Sequence, residues 1–397
     1  MVDASAVADL LDDQSYHIEF NGHLTNHVKH AVVALAGLGA SQARIRDYYE
    51  TYATLTPYGY PLEPPRPSTL RIDEGNWQAL IGQRKGFAAY VDFFERLEQR
   101  IGLVEVLRFA LPELLPGWVG AFTHATIHLG WALDAGNRAM AIEGLAYMAY
   151  TYVSCHPERV RRDGGAGREG PVDSLLRIVA LWEKDAKGRA ELRLLLDDAS
   201  AGERVGIHPE LVRSGLQYRI AMMSSLGHPL IYDLPDWGAD TDVEALWVDL
   251  YRAVTLLYLA KPGDFVLLHL VTSLHAVEQI ARAQPSGNQR AAIELFWTGA
   301  LAILFSEADF ASSEKLTALR ILFDRAPPDI LGAGAEAEWD LVVGRALQEA
   351  EEHNPKLVYV LRLLWDRTGG ETLFRHAAAQ FTKTPDLPPS FAEPAHD

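Results

Sequence analysis

The stretch Glu143-Gly-Leu-Ala-Tyr-Met-Ala-Tyr-Thr-Tyr-Val153 decides the fold class. Almost every position carries an apolar or aromatic side chain, so a helix formed here would be apolar on most faces and lie in the interior. Alternating β-branched runs bounded by turn residues are nearly absent from the rest of the chain. The three- and four-residue apolar spacing of amphipathic helices recurs over residues 242–259, 264–283, 288–305, 336–351 and 355–366. The sequence therefore predicts an all-α fold, a large bundle-like body of many helices that encloses a central pocket.

Proline and glycine mark the breaks in this helical pattern. Five prolines between residues 57 and 67 exclude a helix there, and the polar, Gly-rich residues 162–171 indicate a surface loop or a seam. We predict one all-α catalytic domain over residues 1–383, with a possible seam near residues 160–172. The Pro-rich residues 384–397 are predicted to be a disordered tail.

Composition excludes several function classes. The chain has 397 residues and a formal net charge of −17, which disfavours binding to nucleic acid or to anionic membranes. Its one cysteine, Cys155, excludes an internal disulfide and cysteine-rich zinc sites. The acidic N-terminal residues lack the basic start of a secretory signal, and no apolar run approaches the roughly 18 residues of a membrane span. We therefore expect a cytoplasmic protein.

Histidine, with 14 residues, is concentrated in short groups. His27 and His30 are three residues apart and fall on the apolar side of a predicted helix, where both imidazoles must be paired or metal-bound. His124 and His128 are four residues apart, the spacing that places two metal ligands on one helix face. The alternative for each group is a pair of hydrogen-bonded histidines in the core. Because two such pairs occur in one helical protein, a metal site is as well supported as that alternative.

His269 and His275 form a third group. They are six residues apart, so they diverge by about 120° around a helix and are separated by about 9 Å along its axis. The spacing indicates that they do not bind one ion together. One is a candidate ligand, and the other is a candidate for supporting a ligand or contacting the substrate.

The fourth group is His353-Asn354-Pro355-Lys356. The pattern predicts a helix with Asn354 as its N-cap, Pro355 at the first helical position and Lys356 at the second. A cation is disfavoured at that end of a helix, so Lys356 is either a surface residue or a buried neutral amine. Carboxylation by CO₂ would turn a buried Lys356 into an anionic oxygen ligand.

The sequence does not indicate a binding site for a nucleotide cofactor. Gly165-Ala-Gly-Arg-Glu-Gly170 matches the dinucleotide-binding glycine pattern, but the polar residues before it do not form the strand that such a site needs. No phosphate-binding Walker sequence is present. We predict neither a flavin nor an NAD site.

Four motifs in order resemble the questin oxidase-like family over residues 15 to 370. They are Asn26-His-Val-Lys-His30, His124-Ala-Thr-Ile-His128-Leu-Gly130, Leu268-His-Leu-Val-Thr-Ser-Leu-His275 and His353-Asn-Pro-Lys356-Leu-Val358. The resemblance implies an oxidative enzyme of aromatic polyketide pathways that opens the central ring of an anthraquinone. The histidines favour iron-dependent cleavage with a small aromatic substrate and O₂.

The sequence thus predicts a non-haem Fe(II) oxygenase. The candidate metal ligands are His27, His30, His124, His128, His269, His353 and Lys356. The candidate catalytic residues are His30, His275 and Lys356. Two alternatives stay open: a zinc hydrolase that uses the same histidines, since imidazole suits zinc as well as iron, and a non-catalytic helical protein that binds a small apolar ligand.

Overall fold

The structure is a computed structural model that describes residues 5–162, 169–198, 200–207, 211, 214–238, 240–285, 288–307, 310–329 and 334–385. The predicted disordered tail lies outside the described residues from position 386 onward. The middle of the predicted seam, residues 163–168, lies outside them as well.

Helices dominate the described chain, and the all-α prediction is confirmed. They are α1 Ala8–Asp12, α2 Val28–Gly37, α3 Gln42–Thr54, α4 Phe87–Ile101, α5 Leu103–Leu114, α6 His124–Asp134, α7 Arg138–Tyr150, α8 Pro171–Lys184, α9 Ala186–Asp197, α10 Ala201–Arg204, α11 Leu216–Leu226, α12 Pro229–Tyr232, α13 Val243–Ala260, α14 Phe265–Arg282, α15 Gln289–Glu307, α16 Ser313–Asp324, α17 Ala335–Gln348, α18 His353–Arg367 and α19 Thr372–Ala378. Short 3₁₀ turns occur at Ser5–Val7, Gln78–Leu80, Leu115–Gly117 and Pro157–Arg159.

The strands of the described chain are two residues long and form two separate pairs. Strand β1, Glu19–Phe20, pairs antiparallel with β2, Leu24–Thr25. Strand β3, Arg161–Arg162, pairs parallel with β4, Asp233–Leu234. Each pair ties a loop to the helical body and contributes no layer to the core.

Local sequence signals account for several helix starts. The Asp264 carboxylate accepts hydrogen bonds from the backbone amides of Val266 and Leu267, at 2.9 and 3.0 Å, and so caps α14. Ser41 caps α3 in the same way through the amide of Arg44. Helix α7 is buried at every position from Met140 to Tyr150, as its apolar sequence predicts.

Helix α6 lies at the centre of the packing. It packs against α7, α14 and α2, and α18 packs in turn against α2 and α14. Gly130 allows α6 and α14 to approach closely, because a Cβ atom there would lie 2.3 Å from the Cα atom of Ala276 on α14. One continuous hydrophobic core runs from Val7 to Ala378 around these helices. In the described part of the chain, no helix combines the length and apolar character needed to cross a membrane.

Replacing Gly130 tests this close approach. We expect Gly130→Ala to lower the free energy of unfolding by about 1–3 kcal/mol, because α6 and α14 must separate to admit the methyl group. The matched control is Gly344→Ala on α17, where a Cβ meets nothing within 4 Å. It should raise stability by about 0.5–1 kcal/mol through helix propensity. Urea denaturation measures both, and a loss of stability in the control alone would contradict the packing described.

Candidate metal centre

Four imidazoles from four helices meet in the interior. His27 is the N-cap of α2, His124 and His353 are the first residues of α6 and α18, and His269 lies in the first turns of α14. One ring nitrogen each from His27, His124 and His353 lie within 4.8 Å of one another, and the Nε2 atoms of His124 and His269 are 2.9 Å apart. All four side chains are buried. We call these four residues the histidine cluster.

Hydrogen bonds fix the protonation of two of these rings. The Nδ1 atom of His124 lies 2.6 Å from the carbonyl oxygen of Ala121, and that of His269 lies 2.7 Å from the carbonyl of Phe265. A carbonyl only accepts, so each Nδ1 must carry the ring proton. A neutral imidazole carries one N–H proton, which leaves both Nε2 atoms bare, that is, without a proton and with a free lone pair.

Two bare Nε2 atoms therefore face each other at 2.9 Å. They cannot hydrogen-bond to one another, because both present lone pairs. Protonation of either ring would relieve the conflict, but burial and the charge of Lys356 hold the pKa of His124 well below the usual value. Burial and the neighbouring His353 do the same to the pKa of His269. A cation between the nitrogens would satisfy both.

His353 shows the same pattern, but its Nδ1 bonds to a carboxylate instead of a backbone carbonyl. Its Nδ1 contacts Glu351 Oε1, and its Nε2 is buried without a hydrogen-bond partner among the described residues. This is the carboxylate–histidine arrangement in which Nε2 is free to bind a metal. A carboxylate bonded to one ring nitrogen also fixes the orientation of the ring.

The predicted N-cap at Asn354 is wrong. Helix α18 begins two residues earlier than predicted, at His353, and Glu352 occupies the cap position. The reason is Glu351, whose Oε2 accepts hydrogen bonds from the backbone amides of His353 and Asn354 at 2.7 and 3.0 Å. The shift places Lys356 one turn inside the helix, on the side of His353.

A strained turn positions His124. Ala121, Phe122 and Thr123 have φ values of 49, 50 and 68°, three successive residues in the left-handed region without a glycine. Such conformations cost of order 1–3 kcal/mol each and persist where the surrounding structure imposes them. The turn directs the carbonyl of Ala121 to the His124 ring and packs Phe122 on His269, with ring centroids 4.4 Å apart.

Lys356 and two carboxylates complete the surroundings of the histidine cluster. Lys356 is fully buried, and its Nζ atom has no hydrogen-bond partner in the described chain. Burial lowers its pKa, although Glu352 and Glu351 oppose the effect. Burial raises the pKa of Glu352 to about 7. One oxygen of Glu352 lies 3.1 Å from His27 Nδ1, without the alignment of a hydrogen bond.

His30 and His128 form a neighbouring pair. His30 Nε2 lies 2.9 Å from His128 Nδ1, and His128 Nε2 lies 3.2 Å from Glu143 Oε2. Both nitrogens of His128 are thereby engaged in hydrogen bonds. The His30 ring lies beside His27, with centroids 5.6 Å apart, so the pair borders the histidine cluster on the α2 side.

The structure places His275 elsewhere. Its Nε2 lies 3.0 Å from Asp134 Oδ2, which also accepts a hydrogen bond from the Tyr359 hydroxyl at 2.7 Å. The ring packs edge-on against Trp131. His275 and His269 are six residues apart on α14 and have different partners, as the spacing predicts.

The sequence of this chain matches a known protein family. The family model described as "Questin oxidase-like" matches residues 24–361. The chain belongs to the questin oxidase-like family. All residues of the histidine cluster and Lys356 lie within the matched region, and the resemblance predicted from the motifs is confirmed.

One curated relative of this family member is the protein named "Baeyer-Villiger oxidase AgnL3" from Paecilomyces divaricatus. The two are 31% identical over 137 residues. The aligned region covers 32% of this chain and 29% of the relative, so the match spans less than a third of either protein.

Sequence reasoning missed the carboxylates that support the histidines of this questin oxidase-like protein. Glu351 and Glu352 stand at the end of a predicted helix, where acidic residues are usually solvated. Glu143 lies in an apolar segment, and its partner Lys29 stands between two histidines of a recognised motif. A lone charge inside an apolar helix, as at Glu143, is the one signal that points to such a role.

The buried histidines predict an acid-sensitive fold. Their folded pKa values lie below the unfolded value near 6.5, so below that pH the unfolded chain binds more protons and stability falls. The raised pKa of Glu352, about 7, acts in the opposite direction between about pH 7 and 4.5. Five imidazoles, at His27, His30, His124, His269 and His353, outnumber the carboxyls of Glu351 and Glu352.

We therefore expect the unfolding free energy of the metal-free protein to fall as the pH drops from 6.5 to 5.5. Each proton of difference contributes a slope of about 1.4 kcal/mol per pH unit. Urea denaturation at pH 7.5, 6.5 and 5.5 measures the effect. Constant or rising stability over that range would mean that the imidazoles are not held neutral.

Proposed function

We propose that this protein is a non-haem iron-dependent oxygenase that oxidatively opens a ring of a polycyclic aromatic or quinone substrate. The observation that carries the proposal is the pair of bare Nε2 atoms of His124 and His269, facing each other at 2.9 Å in the interior. Membership of the questin oxidase-like family and the printed name of the relative support oxidative chemistry.

The donor set fits a transition-metal ion. Imidazole nitrogens bind such ions at about 2.1 Å, so two of them at right angles around one ion lie about 3 Å apart. The separation between His124 and His269 matches that value. His353 adds a third bare Nε2, and His27 adds a fourth ring within reach. Imidazole suits iron and zinc alike, and the oxidative family favours iron.

In this proposal, one set of residues binds the ion and a second set orients the ligands and excludes water. His27, His124, His269 and His353 hold the ion, which when bound supplies O₂ activation. Glu351 and the carbonyls of Ala121 and Phe265 keep the ring protons on the nitrogens that face away from it. The rings of Phe122 and Phe265 pack on His269, with centroids 4.4 and 4.5 Å away, and exclude water.

Lys356 is proposed to contribute an oxygen ligand after carboxylation. Neutral imidazoles leave the charge of a dipositive ion uncompensated, and a buried ammonium beside them would repel it. The unpartnered, buried amine of Lys356 has a lowered pKa, which makes a reactive neutral form accessible. Addition of CO₂ to that amine releases a proton and gives a carbamate anion.

A pair of variants on one helix tests the ligand set. We expect His269→Ala to abolish stoichiometric iron, because it removes a nitrogen that faces the ion. His275→Ala, six residues along α14, removes a similarly buried ring that bonds Asp134 instead and should retain full iron. Iron is measured by elemental analysis after anaerobic reconstitution, with circular dichroism as the check of folding. Equal iron in both variants would exclude His269 as a ligand.

Substitutions at Lys356 test its carboxylation. We expect Lys356→Met and Lys356→Arg both to lose metal or activity, because thioether cannot bind CO₂ and guanidinium stays charged. In the native protein, ¹³C-labelled bicarbonate should give a carbamate signal that both variants lack. A short carboxylate added to Lys356→Ala should restore part of the activity. A native protein that binds iron and turns over without a carbamate signal would remove Lys356 from the ligand set.

The reaction itself is tested with an anthraquinone. The iron-loaded protein should consume O₂ and yield a ring-opened product that mass spectrometry detects, whereas the zinc-loaded protein should not. Stoichiometric zinc in the protein as purified, with hydrolysis of ester substrates, would support a zinc hydrolase instead. The absence of any stoichiometric metal would support a non-catalytic binding protein.

A further inference from the structure

A line of four buried side chains leads away from the histidine cluster. Lys29 Nζ lies 2.6 Å from Glu143 Oε2, and the same oxygen lies 3.2 Å from His128 Nε2. His128 Nδ1 lies in turn 2.9 Å from His30 Nε2. All four residues are at most 7% exposed, so their hydrogen bonds form without competition from bulk water.

The carboxylate of Glu143 dictates the protonation of both rings. Glu143, ionised beside Lys29, only accepts hydrogen bonds, so His128 Nε2 must carry its proton. The neutral His128 ring then has a bare Nδ1, which can only accept. The neighbouring Nε2 of His30 must therefore be the donor, and the Nδ1 of His30 is left bare. The reverse arrangement would direct a lone pair of His128 at the carboxylate.

The bare Nδ1 of His30 points away from His128, because the two nitrogens of an imidazole diverge. It is buried and has no hydrogen-bond partner within the described ranges. The His30 ring lies beside His27 of the histidine cluster, with ring centroids 5.6 Å apart. A nitrogen with a free lone pair is thus presented at the border of the histidine cluster.

We infer that Glu143 is a positioning residue that fixes, through His128, which nitrogen of His30 carries the proton. The bare Nδ1 of His30 is thereby kept as an acceptor at the edge of the cluster. A proton on Nδ1 would add a positive dipole beside the cluster, so its absence favours a cation in the cluster. The value of this for catalysis rests on the proposed function, whereas the protonation pattern does not.

Nuclear magnetic resonance of the metal-free protein tests the pattern directly. Two-bond ¹H–¹⁵N correlations of the histidine rings distinguish a protonated nitrogen from a bare one, and His30→Asn and His128→Asn variants assign the two sets of signals. We expect both rings to be neutral with the proton on Nε2. A proton on His30 Nδ1, or protons on both nitrogens of His128, would overturn the inference.

Two double variants isolate the role of the acceptor. Both Lys29→Met/Glu143→Gln and Lys29→Met/Glu143→Leu remove the charges, but the first retains an oxygen that accepts from His128. We expect the glutamine variant to keep the Nε2 pattern and the leucine variant to show a mixture of tautomers on both rings. An unchanged pattern in the leucine variant would show that Glu143 does not set it.

The outcome is separable from the metal proposal. Iron binding by the native chain with the wrong tautomer of His30 would overturn the positioning role alone. The expected tautomers in a chain that binds no metal would leave the positioning role standing and remove the proposed function.

Discussion

The conflict between the Nε2 atoms of His124 and His269 is the constraint on which the candidate centre depends. Each ring donates its Nδ1–H to a backbone carbonyl, and each is buried where uptake of a second proton is disfavoured. Two lone pairs at 2.9 Å in a dry interior are unfavourable unless a cation lies between them. The fold keeps them there because α6 and α14 touch at Gly130, where no side chain intervenes.

The supporting groups follow a common plan. In three of the four rings, the Nδ1 atom has a hydrogen-bond acceptor: a carbonyl for His124 and His269, and a carboxylate for His353. Outer partners of this kind orient metal-binding histidines and raise their basicity. The three left-handed residues before His124 are strained and lower local stability, and this backbone conformation holds the carbonyl of Ala121 against the His124 ring.

The sequence predicts much of this protein because its main signals are local. The apolar pattern over 264–283 predicts α14 within one residue of its observed bounds, Phe265–Arg282, and Asp264 marks its start. The metal candidates are also visible, because four histidine groups in a chain with one cysteine are unusual. The spacing of His269 and His275 correctly predicts that the two rings point in different directions and contact different partners.

The missing parts depend on contacts between distant segments. Glu351 moves the start of α18 to His353, a competition that the sequence pattern Asn-Pro does not reveal. The left-handed turn at 121–123 contains no glycine or asparagine, so the sequence does not indicate a left-handed backbone there. The spacing of His124 and His128 places both on one face, but only tertiary packing decides that the first faces His269 and the second His30.

X-ray absorption of the iron-loaded protein tests the central claim most directly. If the histidine cluster holds the ion, the spectrum should show a first shell dominated by nitrogen at about 2.1 Å, with the outer-shell scattering that imidazole rings produce. A first shell of oxygen alone, without imidazole scattering, would place the iron on surface carboxylates and contradict the account.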